Sequence, residues 1–207
     1  MSTHPAPDDI DLTTNHVGVT RDRPGSRSAG LTLVRSEATA AQRLLPDSVD
    51  PATYRSVFRR SAGAVSVITA DDGTGPVGFT VTSVVSVSIS PPMVSFAISN
   101  ASSSFSTVAR AASVVINFLS LGQHALATTF AARGVNRFAE PTRWSRLADG
   151  SPVLEDAPTY LHGRVQHRFP VGDHHIVVAE LTAAEQRRHY EPLVYHAGGY
   201  GSAQVNV

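Results

Sequence analysis

From Ala64 to Ser99 the chain runs one β-branched segment after another, with no helical period between them. Ala64–Ala70 (AVSVITA) ends at the turn Asp71-Asp72-Gly73, Val77–Ser90 (VGFTVTSVVSVSIS) is stopped by Pro91-Pro92, and Met93–Ser99 (MVSFAIS) resumes. Near the end of the second segment Val85, Val87 and Ile89 alternate with Ser86, Ser88 and Ser90, which predicts a strand with one apolar face. Further strands are expected at Ser113–Leu119, Thr159–Arg168, His175–Leu181 and Leu193–Tyr195, and short helices at Phe105–Ala112 and Ala125–Ala132. About six or seven strands without regular intervening helices argue against a parallel βαβ sheet and favour a closed antiparallel barrel. The expected fold class is mainly β with a few short helices.

The N-terminal 49 residues read differently. Residues 1–30 are rich in Asp, Thr, Pro, Arg, Ser and Gly, and the first aromatic of the chain is Tyr54. Such a stretch cannot offset the entropy of ordering itself and is expected to be disordered. Within 31–45, Leu31, Val34, Ala38 and Leu45 fall roughly on one helical face, which predicts a short helix or a frayed arm. The folded domain is expected over 50–207, opening with Asp50 as N-cap and Pro51 as first residue of a helix through Tyr54, Val57 and Phe58.

Composition removes whole classes of chemistry. All 17 basic residues are arginine, so no Schiff-base lysine and no phosphate-loop lysine exists, and cysteine is absent. Thiolate catalysis, iron–sulfur clusters and disulfides are excluded with it. Seventeen Asp and Glu balance the arginines, which removes the bulk electrostatic case for nucleic acid or an anionic membrane as partner. No run reaches the roughly 18 apolar residues of a membrane span. The opening MSTHPAPDDIDLTT lacks the apolar core of a secretion signal, so a cytoplasmic location is expected.

Four places could carry chemistry. Gly73-Thr74-Gly75-Pro76-Val77-Gly78 matches the spacing of a dinucleotide loop, but strand residues follow where a helix would have to start, so it reads as a hairpin turn. Ser99, Asn100, Ser102, Ser103 and Ser104 lie between a strand and a helix-like segment, more hydroxyls than capping needs. Such a cluster suits a phosphate, with an arginine supplying the counter-charge. Thr80, Val81, Thr82 and Ser83 put hydroxyls on both faces of a strand, where they could border a planar heterocycle. His174 and His175 are adjacent on a strand and point to opposite faces, which argues against a shared metal. His174, after the turn Gly172-Asp173, is the one expected to reach a cleft.

Taken in order, these pieces resemble the flavin reductase family, with the FMN-binding split-barrel fold, best known as reductase components of two-component flavin monooxygenases. The resemblance starts at Pro51-Ala52-Thr53-Tyr54-Arg55 and Val65–Thr69. It is strongest in Gly78-Phe79-Thr80-Val81-Thr82-Ser83 and in Ser86-Val87-Ser88-Ile89-Ser90-Pro91-Pro92-Met93-Val94. It continues through the serine run with Phe105, Val115-Ile116-Asn117-Phe118-Leu119 and Gly172-Asp173-His174. It closes with Pro192-Leu193-Val194-Tyr195-His196 and Gly199-Tyr200.

The resemblance implies a homodimer of Greek-key split barrels that passes a hydride from NADH or NADPH to FMN or FAD. Reduced flavin would then diffuse to a separate flavin-dependent monooxygenase. Carried over by position, Thr80, Val81, Thr82 and Ser83 would meet the isoalloxazine and ribityl parts. Ser99, Asn100, Ser102, Ser103 and Ser104 would cradle the phosphate, His174 would position the nicotinamide, and Tyr200 would border the site. Arg133 and Arg137 are the candidate counter-charges. The chain departs from many relatives at Ala197-Gly198-Gly199-Tyr200, where they read G-R-Y, and at Ser90, where they carry aspartate. Two other readings stay open: a split-barrel flavoprotein that keeps its flavin and reduces an organic substrate, and a non-catalytic flavin- or haem-binding module.

Overall fold

The structure is a computed structural model and describes residues 48–203. The disorder and the helix expected before residue 48 lie outside the described residues. The domain opens with α1 (Pro51–Arg59), whose N-cap Asp50 accepts from the amides of Ala52 and Thr53 at 2.9 and 3.0 Å. There follow β1 (Gly63–Ala64), β2 (Ser66–Ala70), β3 (Val77–Val81), β4 (Val85–Ile89) and β5 (Pro92–Ser99). Next come α2 (Phe105–Val108), β6 (Ser113–Phe118), α3 (His124–Ala131), β7 (Trp144–Arg146) and β8 (Pro152–Leu154). The long hairpin β9 (Thr159–Val171) and β10 (His174–Gln186) precedes β11 (Leu193–His196) and β12 (Gly199–Ser202).

Seven strands form one sheet in the order β3-β2-β6-β9-β10-β5-β4, and every pairing in it is antiparallel. Its inner face packs on itself: Ile68, Phe79, Phe96, Ile116 and Val177 come from five strands and share one buried core. Phe79 and Phe96, from strands far apart in the sheet order, have ring centroids 6.2 Å apart, so the sheet is rolled into a barrel. β3 and β4 are consecutive in the chain yet stand at opposite edges of the sheet, which makes the barrel split between them. Ser83, in the segment joining the two, accepts from the amide of Ala97 at 3.0 Å and ties that segment to β5. The mainly β, antiparallel split barrel expected from the strand pattern is the observed fold.

A second core lies between β2 and α3, where Val65, Val67, Leu119, Ala127, Phe130 and Leu193 are buried. Gly78 is required here, because a Cβ would meet Phe130 Cε1 at 2.6 Å. Gly73 and Gly75 have φ of 94° and 127°, so the glycine spacing serves a turn, as its strand context predicted. The buried Asn117 side chain donates to the Val67 carbonyl at 3.0 Å and accepts from the Leu154 amide at 3.0 Å, joining β2, β6 and β8.

Three expectations need correction. Val77–Ser90 is two strands, broken at 82–84. A bulge between Ser86 and Ser88 places Val85 opposite Ser95 but Ile89 opposite Pro92, an odd separation along β5. Val85 and Ile89 therefore lie on opposite faces, and all three apolar residues of β4 are exposed. The helix expected at Phe105–Ala112 is the four-residue α2, with Ser104 at its N-cap making no side-chain capping bond.

Candidate functional site

A cavity of about 430 Å³ lies over the split. The end of β3 and the segment after it supply Thr80, Val81, Thr82 and Ser83, and β5 supplies Ala97 and Ser99. Ser102 and Ser103 line it as well, with Arg133 and Arg137 from the loop after α3 and His174 from the start of β10. Among the described residues, two arginines and a histidine line the cavity and no carboxylate does.

The hydroxyls divide into two kinds. Thr80 Oγ1 donates to the Ala127 carbonyl at 2.6 Å, fastening α3 to β3, and Ser83 Oγ is taken up by the Ala97 amide. Thr82 is exposed and its hydroxyl has no partner among the described residues. In the serine run the amides of Ala101, Ser102, Ser104 and Phe105 bond back to Ser99 Oγ, the Ser99 carbonyl, Ser102 Oγ and the Ser102 carbonyl. Ser103 is the exception: its amide has no acceptor among the described residues, and its hydroxyl accepts from Arg137 Nη1 at 3.1 Å.

Two residues of the expected phosphate cradle do not line the cavity. Ser104 is fully buried and donates to the Gly78 carbonyl at 3.1 Å. Asn100 Oδ1 bonds His175 Nδ1 at 2.7 Å, and the His175 ring sits against Phe105 with centroids 4.8 Å apart. The adjacent His174 faces the other way, into the cavity, and its Nδ1 is 2.7 Å from Asp173 Oδ1. That hydrogen bond holds the Asp173 carboxyl below its usual value and leaves His174 Nε2 free of the pair.

Arg137 is the partly buried cation of this lining. Its guanidinium donates to Ser103 Oγ and the Ala132 carbonyl, and burial lowers its pKa. Its Nε is buried without a partner, and among the described residues it pairs with no carboxylate. A partly desolvated cation with no acid beside it among the described residues has the chemistry that suits an anion. Arg133, exposed on the same rim, adds to the field. A smaller cavity of about 230 Å³ adjoins at Thr80, Val81, Thr82 and Ala131 and is bordered by Tyr195 and Tyr200, whose rings meet edge to face at 5.3 Å.

The flavin reductase like domain family matches residues 58–204. The chain belongs to this family. An NADH:FMN oxidoreductase of Rhodococcus qingshengii is 39% identical over 183 residues, covering 86% of this chain and 95% of its own. A flavin reductase domain protein of Arthrobacter sp. FB24 superposes with a TM-score of 0.71 at 34% identity, over 74% of this chain and 96% of its own. Nitrilotriacetate monooxygenase component B of Mycobacterium thermoresistibile superposes with a TM-score of 0.69 at 25% identity, over 74% of this chain and 86% of its own. Family membership makes the chain an oxidoreductase, a flavin reductase working with a flavin and a reduced nicotinamide nucleotide. Of the cavity lining of this flavin reductase, Phe130, Ala131, Ala97 and Ile98 carried no sequence signal, being apolar residues of ordinary helix and strand patterns.

Proposed function

We propose that this flavin reductase binds FMN or FAD in the cavity over the split, accepts a hydride from NADH or NADPH there, and releases reduced flavin to a separate flavin-dependent monooxygenase. The observation that carries the reading is a cavity lined by Ser103 and Arg137, with no acid in its lining and no carboxylate paired to Arg137 among the described residues. A bound flavin would supply the redox chemistry, so the protein needs to bind, orient and shield rather than to provide an acid or nucleophile. Arg137 with the hydroxyl and amide of Ser103 would hold a flavin phosphate, with Ser99, Ser102 and Arg133 alongside. Thr82 and the backbone of β3 would border the ring, and Tyr200 would close the neighbouring cavity. His174, steadied by Asp173, would position the nicotinamide at the opposite side of the cavity wall.

We also infer a homodimer. Phe169, Val171 and Ile176 are exposed on β9 and β10, and the register places Ile176 beside Ala97 and Val171 beside His174. An apolar surface thus continues the cavity wall, and a second copy covering it would complete the site.

Anaerobic mixing with FMN or FAD and with NADH or NADPH tests the activity. Bleaching of flavin absorbance is expected in at least one of the four combinations, and no bleaching in any would reject the reading. Within it, His174→Ala should raise the KM for the nicotinamide more than the KM for flavin.

A further inference from the structure

Ser103 and Arg137 line more than one cavity. A second cavity of about 230 Å³ shares them with the cavity over the split and extends to Pro76, Val77 and the segment 135–138. A group occupying both cavities would pass Ser103 and Arg137, the residues that the two linings share. In FMN the phosphate is the end of the molecule; in FAD it continues through a second phosphate to adenosine. We propose that the second cavity receives the adenosine half of FAD, with the pyrophosphate on Arg137, and that the chain prefers FAD to FMN. The inference rests on the phosphate position argued above.

The lining fits that ligand. Pro76, Val77, Val135 and Phe138 offer apolar surface for a planar base, and Val135 is 47% exposed although it adjoins a cationic site. Asn136 Oδ1 already accepts from the Phe138 amide at 3.2 Å, which leaves the side-chain N–H groups as donors for the base or the ribose. Among the described residues the lining holds no acid, as a doubly charged pyrophosphate requires. Among the described residues Arg137 donates only to a hydroxyl and a carbonyl, so its charge is available to both phosphates.

Quenching of flavin fluorescence by the full chain, titrated with riboflavin, FMN and FAD, tests this. The wild type should bind FAD about tenfold more tightly than FMN, and FMN more tightly than riboflavin. Val135→Trp, which fills the second cavity, should erase the preference of FAD over FMN. Asn136→Asp keeps the acceptor for the Phe138 amide but sets a carboxylate beside the pyrophosphate, and should reduce that preference without displacing riboflavin. FAD binding no tighter than FMN in the wild type, or a preference unchanged in both variants, overturns the proposal. FMN binding no tighter than riboflavin would instead show that Arg137 and Ser103 do not hold phosphate, which fails the earlier reading on its own.

Discussion

Ser103 and Ser104 are neighbours with different tasks. Ser104 is buried and satisfies the Gly78 carbonyl, whereas Ser103 is exposed and meets Arg137. Ser104→Ala should leave that carbonyl unsatisfied and lower stability by about 1–3 kcal/mol in urea unfolding. It should change FMN and riboflavin binding alike. Arg137→Gln removes a charge-assisted contact of about 1.5–3 kcal/mol, so the Kd for FMN should rise about 10- to 100-fold while that for riboflavin stays within a few-fold. Equal losses for both ligands would mean that Arg137 only braces the loop. Sequence reading located the polar run but could not divide its hydroxyls. The division depends on the turn in which the Ser102 amide bonds the Ser99 carbonyl at 3.0 Å, and turn geometry leaves no trace in a string of serines. His174 and His175 were separable beforehand, because strand alternation alone sends neighbours to opposite faces.

The site exists because elements approach closely. α3 lies on β3, with the Thr80 hydroxyl bonded to Ala127 and Phe130 packed over Gly78, and this contact sets the wall of the cavity. Gly78→Ala drives a methyl into the Phe130 ring and should cost about 1–3 kcal/mol by urea unfolding. Adding Phe130→Leu should recover part of that loss, a coupling that two independent defects would not show. A second tie joins the loop before β8 to β6 and β9. Burial pushes the Asp149 carboxyl up, but bonds from the Ser151 amide, the Ser113 and Ser151 hydroxyls and His162 outweigh it and lower the pKa to about 2. Asp149 therefore contributes stability in full above its unfolded value of 3.8 and loses it as pH falls toward about 2. Asp149→Asn should unfold at lower urea than the wild type at pH 7, and the gap should narrow from about pH 5 downward. A gap that is constant with pH would assign the effect to packing. The strands of this framework were legible from β-branched runs and turn residues. The bulge at Ser86–Ser88 was not, since an inserted residue reverses the faces of a strand without disturbing its alternating sequence.

At the scale of the whole molecule, the barrel leaves its cavity beside an apolar surface that stays exposed among the described residues. Phe169, Val171 and Ile176 are 50%, 51% and 37% exposed, on strands whose inner faces carry the core. The sequence pattern hid this surface, because Thr159–Arg168 looked complete before Phe169 and β9 in fact runs on to Val171. His174 and Ile176 are two residues apart on β10 and share a face, opposite Ser99 and Ala97 of the cavity wall. A second copy seated on Phe169 and Ile176 would therefore come within reach of the proposed flavin site as a matter of register. Phe169→Asp places a charge in the centre of that surface and outside the cavity lining. Light scattering after size exclusion should show a dimer for the wild type and a monomer for Phe169→Asp, with the same far-ultraviolet circular dichroism. If the copies complete the site, the monomer should also bind FMN about tenfold more weakly, although no residue lining the cavity has changed. A monomer with unaltered FMN binding would leave the apolar face as an interface but remove it from the site. A wild type that is itself monomeric at micromolar concentration would remove both.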